Sequence, residues 1–179
     1  MARIILHPGA KADVGVPVGT IDGQVLSFVD KTPHIDGEAV PFDEIGRDLS
    51  DAVEEAAVVI FGNEWSTDLG RVTGLNRRTV TRDRIERFGV AAWVYTLLGR
   101  AATSSCPRAF GYMLLASAEL CDRGPYSKGK GVDQGPSMRE RAYLGGMARV
   151  EMEKAYAEID HARAEREHFR FLKTQEGDQ

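Results

Sequence analysis

The chain has 179 residues, 42% hydrophobic and 28% charged, enough to bury roughly two thirds of its unfolded surface around a core that needs no metal or disulfide. Two cysteines, Cys106 and Cys121, are too few for a disulfide scaffold, and the opening MARIILHPGA has too short an apolar run for a secretory signal. No run approaches the roughly 18 apolar residues that cross a bilayer, and a net charge of −4 argues against a generally basic, histone-like binder, so a cytoplasmic protein is expected.

The first forty residues read as short strands. RIIL and QVLSFV are rich in β-branched and aromatic residues, and Asp22-Gly23 and Asp36-Gly37 are tight-turn signals. A faint repeat, IDGQV at 21–25 and IDGEAV at 35–40, places Asp-Gly between apolar positions twice. It predicts two similar hairpin turns in a small β-ribbon over residues 1–41. After Pro41, Ile45, Leu49, Ala52, Val53, Ala56 and Ile60 recur at three- and four-residue steps, the pattern of an amphipathic helix, which Gly62 would end. Helical spacing continues to about residue 122, giving a helical domain over 42–123. Residues 124–137 hold four glycines and two prolines without apolar periodicity, the composition of a flexible linker. Beyond them, Leu144, Met147, Val150, Ala155, Ile159, Ala162 and Phe169 form a narrow apolar stripe on an otherwise charged helix over 138–179. Such a helix packs along the body or pairs with a second copy. The expected fold is mainly α (α+β): a small N-terminal β-ribbon, a helical body and a long C-terminal helix.

Charge is distributed unevenly along these elements. Residues 1–60 carry four basic and eleven acidic side chains, whereas residues 71–90 carry six arginines, Arg71, Arg77, Arg78, Arg82, Arg84 and Arg87, against Asp83 and Glu86, with no lysine. Arginine's planar fork suits bidentate contacts to phosphate and guanine; a solvated helix face with intrahelical ion pairs is the alternative. The arginines coincide with STDLGRVTGLNRRTVTR, residues 66–82. Two helices joined by a tight turn need an apolar residue and a small one in the first helix, a glycine able to take φ > 0, an apolar residue after it and an apolar anchor in the second helix. Leu69, Gly70, Gly74, Leu75 and Val80 fill those places.

Here the chain resembles the repressor-like helix-turn-helix DNA-binding proteins of bacteria and phages, whose pattern reads L-A-x-x-L-G-V-S-x-R-T-V-x-R. Leu69 to Arg82 reads L-G-R-V-T-G-L-N-R-R-T-V-T-R. Gly70 stands where the pattern has alanine, Thr73 where a leucine normally enters the core, and Asn76 at the N-cap usually held by serine. The resemblance covers about residues 51–100. It implies a second helix whose N-terminal half enters the major groove, with Arg77, Arg78, Thr81 and Arg82 toward base edges or flanking phosphates. Asn76 and Thr79 would reach phosphate oxygens at the start of that helix, and Arg84 and Arg87 the backbone further along. The implied partner is double-stranded DNA, bound by a homodimer or higher homo-oligomer. The function expected is that of a transcriptional regulator of phage or mobile-element type. A small DNA-packaging recognition subunit, or an interaction or inhibitor protein with an acidic N-terminal surface, are the alternatives.

Other signals are weaker. Gly124, Gly129 and Lys130 fit a phosphate-loop spacing, but a helix precedes them and Gly131 stands where a Ser or Thr is required. Lys128 and Lys130 are candidates for brushing a DNA backbone. His161 and His168 lie two turns apart and make no metal site. Cys106, Cys121, Trp65 and Trp93 read as core residues. No nucleophile stands with a base and no carboxylate pair has informative spacing, so neither an enzyme, a cofactor, a metal nor a membrane partner is expected.

Overall fold

Asp22 and Gly23, and again Asp36 and Gly37, all take positive φ, as two-residue hairpin turns of right-twisted strands require. In the computed structural model, which describes residues 3–127 and 136–177, these turns join β2 (Val16–Ile21) to β3 (Gln24–Val29) and β4 (Thr32–Ile35) to β5 (Glu38–Ala39). With β1 (Ile4–Leu6) they form one antiparallel sheet in the order β1-β2-β3-β4-β5. The repeat is one device used twice. The Asp22 amide donates to the Arg3 carbonyl (3.0 Å) and its carboxylate accepts from the Arg3 amide (2.8 Å). Asp36 does the same with Val25, at 2.9 and 2.8 Å. Each aspartate thus makes its turn and also extends the ladder to the neighbouring strand.

The helices follow in order: α1 (Phe42–Phe61), α2 (Trp65–Thr73), a 3-10 turn (Arg77–Thr79), α3 (Arg82–Phe88), α4 (Ala92–Ala102), α5 (Pro107–Arg123) and α6 (Met138–Gly177). All the apolar positions of the α1 spacing are buried, Leu49 and Val53 completely, and each fully buried Leu or Val stabilises by about 1.5–3 kcal/mol. Gly62 ends α1 with φ 85, its amide returning to the Val58 carbonyl.

The chain divides into two compact units, Met1–Ala118 and Glu119–Gln179. In the first, sheet and helices close on a single core that runs from Val18, Leu26 and Phe28 through Leu49 and Val53 to Tyr95 and Leu98. Phe28 stacks on Tyr95 with ring centroids 5.2 Å apart. Pro41 therefore marks a change of secondary structure inside one core. Alternation along β2 and β3 shows only that one face is buried, and the helices that bury it come later in the chain.

The second unit holds α6, a single helix of 40 residues. Its start is a reciprocal cap: the Ser137 amide donates to the Glu140 carboxylate (2.7 Å) and the Glu140 amide to the Ser137 hydroxyl (3.4 Å). Leu144 is buried and Tyr126 meets Tyr143 edge-on, whereas Val150 and Ile159 of the stripe are 45% and 44% exposed. Trp65 is a core residue, but Trp93 is 49% exposed, because α4 turns Val94 and Tyr95 inward. Cys106 is exposed and Cys121 half-buried, both as free thiols; neither is a core residue. Most of the expected linker, including Lys128, Gly129, Lys130 and Gly131, lies outside the described residues.

Candidate nucleic-acid interface

The pair of helices expected between Ser66 and Arg87 starts as the spacing requires. Leu69, on α2, is completely buried, as are Val80 and Ile85 beyond the turn. Gly74 ends α2 in the left-handed region with φ 71, a conformation that costs other residues about 1–2 kcal/mol. The two departures from the helix-turn-helix pattern have local reasons. A Cβ on Gly70 would stand 3.2 Å from the Leu75 carbonyl and 3.6 Å from the Arg77 Cα, so glycine lets the returning chain lie against α2. Thr73 does not enter the core. Its hydroxyl donates to the Leu69 carbonyl (2.6 Å) and accepts from the Leu75 amide (3.3 Å), fixing the turn by hydrogen bonds.

The second helix departs from expectation. The Asn76 side chain accepts from the Arg78 amide (2.9 Å), but it caps only the 3-10 turn Arg77–Thr79. Thr81 is extended, with ψ 151, and α3 starts only at Arg82. Thr79, Val80 and Thr81 are consecutive β-branched residues, which lose side-chain freedom in a helix. The break also lets Val80 and Ile85 both reach the core. No continuous helix dipole therefore stands behind Asn76 and Thr79, and Asn76 uses its oxygen on its own turn.

Arg82 has a structural task. Its guanidinium is bound by Asp51 and Glu54 of α1, and these carboxylates, Asp51 foremost, hold its pKa above the ordinary arginine value. Asp51 and Glu54 lie three residues apart on one helix face, a spacing visible in the sequence; their partner lies 31 and 28 residues away. Close to this clamp, Gly46 lets α1 and α3 touch, since a Cβ there would stand 2.3 Å from the Glu86 carbonyl.

The remaining residues face outward. Arg78, Thr79, Thr81 and Arg84 line an open recess of about 410 Å³, and the Thr81 hydroxyl donates to the Arg78 carbonyl (3.4 Å). The Arg84 guanidinium lies over the Phe88 ring, 4.3 Å from its centroid, an arrangement that holds the fork in place. Phe88, 53% exposed, went unnoticed in the sequence, although its spacing of four from Arg84 is the signal. Arg77 and Arg87 are exposed as well. Among the described residues, Arg77, Arg78, Arg84 and Arg87 have no carboxylate partner. No group of three or more metal-ligating side chains is present among the described residues, and none of their helices is long and apolar enough to cross a membrane.

Compared with family models, with curated proteins and with solved structures, the chain finds no match.

Proposed function

We propose that the surface built by α2, the 3-10 turn and α3 binds double-stranded DNA sequence-specifically, and that the protein is a transcriptional regulator of phage or mobile-element type acting as a homodimer. One observation carries this reading. In a chain with 27 acidic side chains, four arginines within eleven residues lie exposed and without a carboxylate partner among the described residues. Asp83 and Glu86 are the only carboxylates inside that stretch, so it keeps a net positive charge, and like charges gathered in excess oppose folding, a cost that a merely structural helix corner has no reason to carry. Polyanionic phosphate supplies the missing charge.

In this reading Arg78 reaches base edges, where a fork on guanine O6 and N7 discriminates by about 1–3 kcal/mol. Thr79 and Arg84 take phosphate oxygens, and Arg77 and Arg87 touch the backbone nearby; the Thr81 hydroxyl is held by the Arg78 carbonyl. Arg82 holds α3 on α1, and Asn76 closes the turn that presents Arg77 and Arg78. Selection of bound duplexes from a random pool tests the reading. Enrichment of a defined motif is expected, and a pool that stays random after repeated rounds refutes sequence-specific binding.

A further inference from the structure

The second unit carries a repeat that the helix-turn-helix reading does not use. Residues 148–154, 155–161 and 162–168 read ARVEMEK, AYAEIDH and ARAEREH. Each group of seven starts with alanine, has glutamate fourth, and has an acidic residue sixth and a basic or imidazole side chain seventh. All three groups lie within α6. A straight α-helix drifts against a strict seven-residue repeat, so a sequence that keeps one over successive turns is matched to a left-handed supercoil with a second helix.

The repeat assigns its own seam. Ala148, Ala155 and Ala162 alternate with Met152, Ile159 and Arg166 along one line of the helix, the d and a positions of a coiled coil, with Arg166 a single polar layer at its end. Ile159 is 44% exposed in the single chain, and every residue from 153 to 168 is exposed, so this stretch has nothing packed on it. Val150, counted in the stripe by its spacing, falls on the opposite side. Alanine at every second layer keeps two helices close together; a third helix would leave a void at each alanine layer, which costs stability.

The charges flanking the seam set the direction. Glu151, Glu158 and Glu165 run along one side and Arg149, Arg163 and Arg170 along the other. In a parallel pair each glutamate on the first flank faces the residue five further on, on the other flank of the second copy. Glu158 then meets Arg163 of the second copy, and Glu165 meets Arg170. In an antiparallel pair like flanks face each other, glutamate on glutamate and arginine on arginine, which is destabilising. We infer that residues 148–168 of α6 form a parallel two-stranded coiled coil with a second copy of this chain, so that both chains enter the coil from the same end. This inference stands without DNA binding.

The test uses the full chain, by light scattering during size exclusion and by thiol coupling. A dimer is expected, and Ile159→Asp should convert it to a monomer. Because Ile159 is exposed in the single chain, that variant should keep its circular dichroism and its melting transition for the first unit. In a Cys106→Ser, Cys121→Ser background, Arg166→Cys sits on the seam at the last layer, away from the middle of the repeat, and meets its own twin only when the helices are parallel. Mild oxidation should therefore couple it into a covalent dimer. A monomeric chain, a trimer or larger assembly, or a dimer indifferent to Ile159→Asp overturns the coiled coil. A dimer in which the thiols at 166 fail to couple overturns the parallel direction.

Discussion

Salt separates the arginines proposed to face DNA from the one that faces α1. Each phosphate neutralised by a cationic side chain contributes about −0.9 to the slope of log affinity against log salt. With Arg77, Arg84 and Arg87 on the backbone and Arg78 on a base, the slope is about −2.7 per chain and about −5.4 for a dimer with both surfaces engaged. Raising salt from about 50 to 200 mM should then weaken one chain's binding about 40-fold. Arg87→Ala removes one contact and should reduce the slope by about 0.9 per chain on specific and random duplexes alike. Arg82→Ala should leave the slope where it is, because Asp51 and Glu54 already hold that charge. Its loss removes two half-exposed ion pairs, which contribute on the order of 0.2–1 kcal/mol each to stability. Fluorescence anisotropy on a labelled duplex across the salt range reads all three proteins. Affinity indifferent to salt would refute the electrostatic account, and an Arg82→Ala slope reduced as much as that of Arg87→Ala would refute the division of labour.

Three further outcomes are expected. Arg78→Ala should weaken the selected site by about 1–3 kcal/mol and relax its sequence preference with little change in slope; uniform weakening across all duplexes would place Arg78 on the backbone instead. Burial pushes the Tyr95 phenol from 10.0 up to about 12. The neutral form is favoured in the fold, so its stability is whole below about pH 10 and is lost as pH rises toward 12, roughly 2–3 kcal/mol in all. Tyr95→Phe should flatten that alkaline loss in denaturant titrations. At neutral pH it should cost about 1–3 kcal/mol by orphaning the buried Val90 amide, which now donates to the Tyr95 oxygen at 2.9 Å. Gly46→Ala places a Cβ against the Glu86 carbonyl and should lower stability by about 1–3 kcal/mol in thermal melts; an unchanged melt would show that α1 and α3 separate freely.

Local chemistry was legible in the sequence where one residue's conformation decides the structure. Asp22-Gly23 and Asp36-Gly37 announce their turns, Gly74 announces its own, and the three- and four-residue spacing between Pro41 and Gly62 gives α1 to within a residue. What each buried face packs against was not legible, because periodicity records that a face is buried and not by which element. That is why the sheet reads as a separate ribbon although Phe28 stacks on Tyr95, 67 residues later. The third turn, with Asp30 at φ 53 and Lys31 beside it, carries no glycine to announce it.

The candidate interface shows the same limit more sharply. In linear order Arg77, Arg78, Arg82, Arg84 and Arg87 form one basic run, and Asn76 is the correct residue for capping a helix. An asparagine side chain caps a 3-10 turn by the same hydrogen bond that would cap an α-helix, so the cap identifies the turn and not its length. The β-branched run Thr79-Val80-Thr81 is the local sign that the helix breaks, and the break rotates Arg82 away from its neighbours onto α1. The helix-turn-helix spacing gives the position of the surface, while two carboxylates about thirty residues upstream determine which arginines face outward from it. Charge counted along the chain therefore overstates the interface, because Arg82 is already paired with Asp51 and Glu54 within the fold.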